Sequence, residues 1–144
     1  PNSNGHFGYQ PVVDENENVL ELVPYYLTSA LKKGISSVQK YVYELGGIFI
    51  PAHVNRPLNG LFSHLGFVPA DLEFDAMGIT GKTSEKHVRK HYDLDDKISL
   101  IYNSDAHFLE QIGTRYSVFN IHELTFLEVK KALNQRDKRF VEIV

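Results

Sequence analysis

The spacing of apolar side chains along this sequence alternates between two periods. From residue 36, Val38, Val42 and Leu45 recur at helical spacing, with Ser36 or Ser37 placed to cap the start and Gly46-Gly47 to stop the run. Ile48-Phe49-Ile50 is a short unbroken apolar stretch, the mark of a strand buried on both faces. A short helix over 57–66, ending at Gly66, a strand over Phe74–Ile79 and a helix opened by Thr83 or Ser84 and running through Val88 and His91 follow. Lys97–Tyr102 and Tyr116–Ile121 predict further strands, 124–134 an amphipathic helix with Leu124, Leu127, Val129 and Leu133, and Phe140–Val144 a fifth strand. Residues 1–18 are rich in Asn, Gly, Pro, Asp and Glu and read as a loop. Val19–Leu31, interrupted by Pro24, reads as a short strand-like piece and a turn.

Helix and strand alternate after residue 36, which is the signature of βα units and a mainly parallel sheet. In such α/β folds the chemistry sits just beyond the C-terminal ends of the strands. Two strand ends carry suitable residues. Pro51-Ala52-His53-Val54-Asn55-Arg56 follows the Ile48 strand, and Asn103-Ser104-Asp105-Ala106-His107 follows the Lys97 strand. In an extended segment, residues i and i+2 face the same side, so Asp105 and His107 are expected to point into one cavity. His53, from another strand end, would converge on the same cavity. Imidazole and carboxylate together suit Zn, Mn or Fe. An Asp-x-His pair alone arises often by chance, and a lone histidine is more often structural; their position at strand ends adds the weight. Arg56 lies at the expected mouth of the site, placed to clamp a phosphate, against the alternative of a surface arginine paired with a carboxylate. Asn55 is a weaker candidate.

The chain has 144 residues, enough for one domain with a core. With 42% hydrophobic and 23% charged residues its composition is globular. The net charge of −3, with signs intermixed, argues against a nucleic-acid partner. The absence of cysteine removes disulfides, thiolate zinc sites and cysteine nucleophiles, and fits a cytoplasmic location. No apolar run spans a bilayer, so no membrane partner is expected. Pro1-Asn2-Ser3-Asn4 has no signal-peptide character and no initiator Met, so the chain is expected to begin inside a longer protein.

Other clusters read as structure. His87 and His91 share an i, i+4 face, a spacing that binds zinc in some helices, yet Val88 stands where a metalloprotease would carry Glu, and a solvated helix face is the simpler reading. His64 and His122 are not expected to be ligands. Gly78 to Thr83 lacks the spacing of a phosphate loop.

Leu45-Gly46-Gly47-Ile48-Phe49-Ile50-Pro51-Ala52-His53 and Asn103-Ser104-Asp105-Ala106-His107 resemble the third and fourth motifs of the PHP (polymerase and histidinol phosphatase) family, in order and correctly separated. Gly8-Tyr9-Gln10-Pro11-Val12-Val13-Asp14-Glu15 is similar to a segment upstream of the third motif in one branch, so the resemblance covers residues 8–144. It implies the C-terminal part of a distorted (β/α)7 TIM-like barrel. Residues 1–35 would be an irregular or inserted segment, and 36–144 the βα units that carry both motifs. The implied activity is hydrolysis of a phosphoester, on a phosphorylated small molecule, by metal-activated water, with up to three divalent ions (Zn, Mn or Fe). His53, Asp105 and His107 would be ligands, serving different metals of the cluster, and Arg56 a phosphate contact. The family's opening His-x-His strand does not occur here. Five strands cannot close a seven-stranded barrel, so a missing N-terminal half, or self-association, is expected to cover an open sheet edge. A non-catalytic binding or assembly module on the same fold, and a metal-dependent nuclease, are the alternatives.

Overall fold

A computed structural model describes residues 1, 3–81 and 83–144. Asn2, in the N-terminal stretch read above, and Lys82, in the rejected phosphate loop, lie outside the described residues. The chain divides into two compact units, Pro1–Gly34 and Ile35–Val144.

The first unit holds a four-residue helix, α1 (Asn4–Phe7), and an antiparallel hairpin of β1 (Pro11–Val13) and β2 (Val19–Leu22). A hairpin stands where the composition reads as a loop, and turn chemistry is the reason. The Asp14 carboxylate accepts the backbone N–H groups of Asn16 and Asn18, each at 2.9 Å, together with the Asn18 side-chain amide. This Asx-type closure folds the chain back. The Asn18 bonds hold the Asp14 carboxyl below its ordinary range.

In the second unit, α2 (Ile35–Glu44) stops at Gly46-Gly47, where the Gly47 N–H bonds the Val42 carbonyl at 2.8 Å. After it come α3 (Leu61–Leu65), β3 (Met77–Ile79), α4 (Glu85–Tyr92), β4 (Leu100–Tyr102), a 3-10 turn at Leu109–Gln111, β5 (Ser117–Asn120), α5 (Phe126–Leu133) and β6 (Phe140–Ile143). Each strand is shorter than the sequence predicts. α3 begins four residues late, because Pro57 to Asn59 form turns. β3 and β4 pair in parallel, Gly78 opposite Ile101, whereas β5 and β6 pair antiparallel, and β6 lies beside β4. The sheets are therefore mixed rather than mainly parallel, and none closes. No helix among the described residues is long and apolar enough to cross a membrane.

Every residue of β3 and β4 is buried. Their alternation sends Met77, Ile79, Leu100 and Tyr102 to a core shared with Val54, Leu61 and Val88. Ala76 and Ile101 point the other way, toward Leu133, Ile48, Ile50 and Val129. Burial on both faces is why these strands read as unbroken apolar runs.

The predicted Ile48–Ile50 strand takes a different form. It runs alongside β3 in the same direction without joining a regular ladder. The Phe49 N–H donates to the Asp75 side chain (2.8 Å), the Asp75 N–H to the Phe49 carbonyl (2.9 Å), and the Gly78 N–H to the Pro51 carbonyl (2.9 Å). A carboxylate occupies one ladder position and Pro51 has no N–H for another, so the pairing is strand-like and incomplete.

Thr125 caps α5 by accepting the Glu128 N–H at 3.3 Å. Glu128 is 4% exposed, and its carboxylate gathers Arg139 (2.8 Å), Lys131 (3.0 Å) and the His122 backbone N–H (3.1 Å). This ties the start of α5 to the chain on either side of it. The Arg139 guanidinium, then the His122 N–H and Lys131, lower the Glu128 carboxyl to about 2. A carboxyl depressed in the folded state contributes stability above its unfolded value and loses it as pH falls toward the folded value. Urea midpoints of the wild type should therefore decline between pH 4.5 and about 2. Glu128→Gln should be less stable at neutral pH and flatter across that window; equal slopes for the two proteins would refute the assignment.

Candidate metal-binding cleft

His53 sits in a turn fixed at both ends. Before it, Pro51 is bonded to Gly78. After it, the Val54 N–H donates to the Gly78 carbonyl at 2.8 Å and the Val54 side chain is fully buried. Gly78 permits this approach: a Cβ there would lie 3.2 Å from the His53 nitrogen and 3.3 Å from the Pro51 oxygen. Asn55 then clamps the turn to the end of β3. Its side-chain amide donates to the Thr80 carbonyl and accepts the Thr80 N–H, both at 2.8 Å. Asn55 thus continues the sheet in place of a backbone strand, and its amide is committed to that structural task.

Pinned in this way, His53 has a left-handed backbone (φ 33°). Asp105, beyond the end of β4, does too (φ 49°). Such conformations cost on the order of 1–3 kcal/mol for most residues and gather at functional sites, and Asp and His are among the side chains that enter this region most often. The two meet at a cleft of about 180 Å³ across the C-terminal ends of β3 and β4, which Gly78, Thr80, Ile101 and Asn103 also line. The His53 Nδ1 is buried and has no hydrogen-bond partner. A buried ring nitrogen without a partner is destabilising unless something outside the chain occupies it.

Arg56 reaches the same cleft mouth. Its guanidinium lies 3.3 Å from the Asp105 carboxylate, with both side chains nearly half exposed. The arginine is therefore paired with the very carboxylate expected to bind metal. His107 does not line the cleft. β4 ends at Tyr102 and Asp105 turns left-handed, so the extended alternation expected to align Asp105 with His107 is lost. The His107 Nδ1 instead donates to the Asp105 carbonyl at 2.8 Å, which leaves Nε2 as its free lone pair, and the ring borders an exposed groove with Phe108 and Leu109. Among the described residues, no three His, Asp or Glu side chains converge at one point. His53 and Asp105 fit a divalent ion in kind: an imidazole with a partnerless ring nitrogen and a half-exposed carboxylate belong to residues that line one cleft.

Sequence reasoning missed Gly78, Thr80 and Asn103. Thr80 and Asn103 are the first residues after β3 and β4, so the rule that places chemistry at strand ends would have found them. The β3 end was weighed only as a phosphate loop and set aside, and it carries no imidazole or carboxylate.

No family model matches the sequence. Over 108 residues the chain is 32% identical to the uncharacterized protein YqxK of Bacillus subtilis (strain 168), a match spanning 72% of this chain and 28% of YqxK. The structure resembles that of the lesion-specific endonuclease PfuEndoQ from Pyrococcus furiosus with a TM-score of 0.63 and 21% identity, over 74% of this chain and 28% of that one. The chain thus spans little more than a quarter of either protein. The structural likeness supports a PHP-like fold.

The contact at Gly78 gives a direct test of how the turn is held. Gly78→Val should lower stability by about 1–3 kcal/mol in chemical denaturation, because backbone atoms of the His53 turn must move. An unchanged midpoint would show that the turn does not lean on β3.

Proposed function

We propose that this chain carries part of the active site of a PHP-type metal-dependent hydrolase that cleaves phosphoester bonds, centred on the cleft at the ends of β3 and β4. The observation that carries this reading is the buried, partnerless Nδ1 of His53, a residue that lines one cleft together with Asp105. His53 and Asp105 hold a divalent ion (Zn, Mn or Fe) there, and His107 serves a separate ion through its free Nε2. Such an ion supplies Lewis acidity to phosphoryl oxygens and lowers the pKa of water. Arg56, at the cleft mouth, exchanges its contact with Asp105 for a substrate phosphate, which its planar fork suits. Because that ion pair is half exposed, it contributes only about 0–1 kcal/mol and yields readily. Asn103 and Thr80 also line the cleft and are further polar residues for orienting a substrate. A phosphorylated small molecule is the substrate class of this reading.

A second reading, cleavage of a nucleic-acid phosphodiester, is favoured by the fold shared with a lesion-specific endonuclease. The metal chemistry is the same and only the substrate differs. Anisotropy of a labelled single-stranded oligonucleotide in the presence of Mn²⁺ separates the two. Binding that Arg56→Ala abolishes supports the nuclease, and a phosphomonoester that binds where the oligonucleotide does not supports the phosphatase.

Calorimetric titration with Mn²⁺ and with Zn²⁺ tests the site itself. His53→Ala and Asp105→Ala should each weaken binding at the cleft at least about tenfold, roughly 1.4 kcal/mol. Affinity unchanged in both variants would sink the proposal and leave a non-catalytic binding module as the better account.

A further inference from the structure

We infer that α4 carries a second metal site, a two-imidazole chelate formed by His87 and His91 on the surface of the protein. The two rings lie one helical turn apart, with centroids separated by 5.9 Å and planes within 10° of each other. Both residues are exposed. Histidines at i and i+4 on one helix face can converge on a single ion. Small rotations about the side-chain torsions bring facing nitrogens to the roughly 3.3 Å separation that two Zn–N bonds of about 2.0–2.1 Å require.

The helix beneath them is unusually well fixed for a surface element of eight residues. Ser84 caps its start by accepting the His87 N–H at 3.3 Å. Val88, between the two histidines, is buried at 1% exposure. Arg89 binds Glu85 at 2.6 Å and the carbonyls of Asp95 and Ile98 at 2.9 Å, fastening the last turn to the loop that follows. Tyr92 stacks on Phe62 with centroids 4.0 Å apart and meets His91 edge-on at 4.6 Å. Little backbone freedom is left to lose when the rings close on an ion, and preorganisation of this kind strengthens a chelate.

Electrostatics act in both directions. Lys86 and Lys90 lie on the same helix and oppose a cation. His91 stands in the last turn, where the negative end of the helix dipole favours one, and Asp93 follows directly. Two neutral imidazoles select borderline ions, Zn²⁺, Ni²⁺ or Cu²⁺, over Mg²⁺ or Ca²⁺. With two protein ligands the remaining positions belong to water. The bound ion would clip α4 shut rather than perform chemistry.

This inference does not rest on the cleft. The test is thermal unfolding of the chain with and without micromolar ZnCl₂ or NiCl₂, with folding of every variant checked by circular dichroism. The expected result is a metal-dependent rise in unfolding temperature that persists in the His53→Ala, Asp105→Ala double variant. The rise should disappear in His87→Ala and in His91→Ala, and MgCl₂ should give none. His91 also meets Tyr92 edge-on, so each variant is compared with its own metal-free unfolding temperature. No rise in the wild type, or a rise that survives loss of both His87 and His91, would overturn the assignment. A rise abolished by the cleft variant and untouched by the α4 variants would overturn it too while upholding the cleft.

Discussion

The carboxylate of Asp75 is the contact on which the geometry of the cleft depends. It is 6% exposed, and it accepts the Phe49 N–H at 2.8 Å and the Asn134 amide at 2.7 Å. Through those bonds one side chain joins the segment after α2, the approach to β3 and the end of α5. Tyr43 lies close by: burial first, and then the Asp75 charge, push its phenol up to about 12. A buried carboxylate is costly unless it is hydrogen-bonded, and here each oxygen accepts one bond. The Phe49 pairing continues into the Pro51–Gly78 and Val54–Gly78 bonds, and these set the backbone of His53.

What stands at the far end of that chain of contacts is locally unfavourable. His53 and Asp105 both take left-handed backbone, and a buried ring nitrogen of His53 lacks a partner. A sequence folding only for stability would relieve these features. The surrounding packing keeps them: Val54 is fully buried, Asn55 is clamped to Thr80, and Gly78 leaves room for the turn. Backbone strain of this kind, held in place by well-satisfied neighbours at the C-terminal ends of two parallel strands, is the setting of the proposed site.

Much of this was legible in the sequence, for identifiable reasons. β3 and β4 are buried on both faces, so Met77–Ile79 and Leu100–Tyr102 stood out as apolar runs, α4 was marked by Ser84 at its cap, and α5 by the helical spacing of Leu127, Val129 and Leu133. The turn carrying His53 and the loop carrying Asp105 could be placed because each follows such a run. Three things could not be read. The Ile48–Ile50 segment is apolar like a strand, but its hydrogen bonds run to a side chain 26 residues away, which periodicity does not register. The β1–β2 hairpin depends on one Asx closure within a polar stretch. The relation of Asp105 to His107 turned on a single backbone angle, and that decided which of them faces the cleft.

In the proposed site the His53 Nδ1 takes an ion that the Asp105 carboxylate shares. Nitrogen-15 NMR of the histidine side chains during titration with Zn²⁺ reads that atom directly. The His53 Nδ1 resonance should move to the position of a metal-coordinated nitrogen in the wild type and fail to do so in Asp105→Ala. A His53 Nδ1 resonance that stays put while zinc binds elsewhere would contradict it.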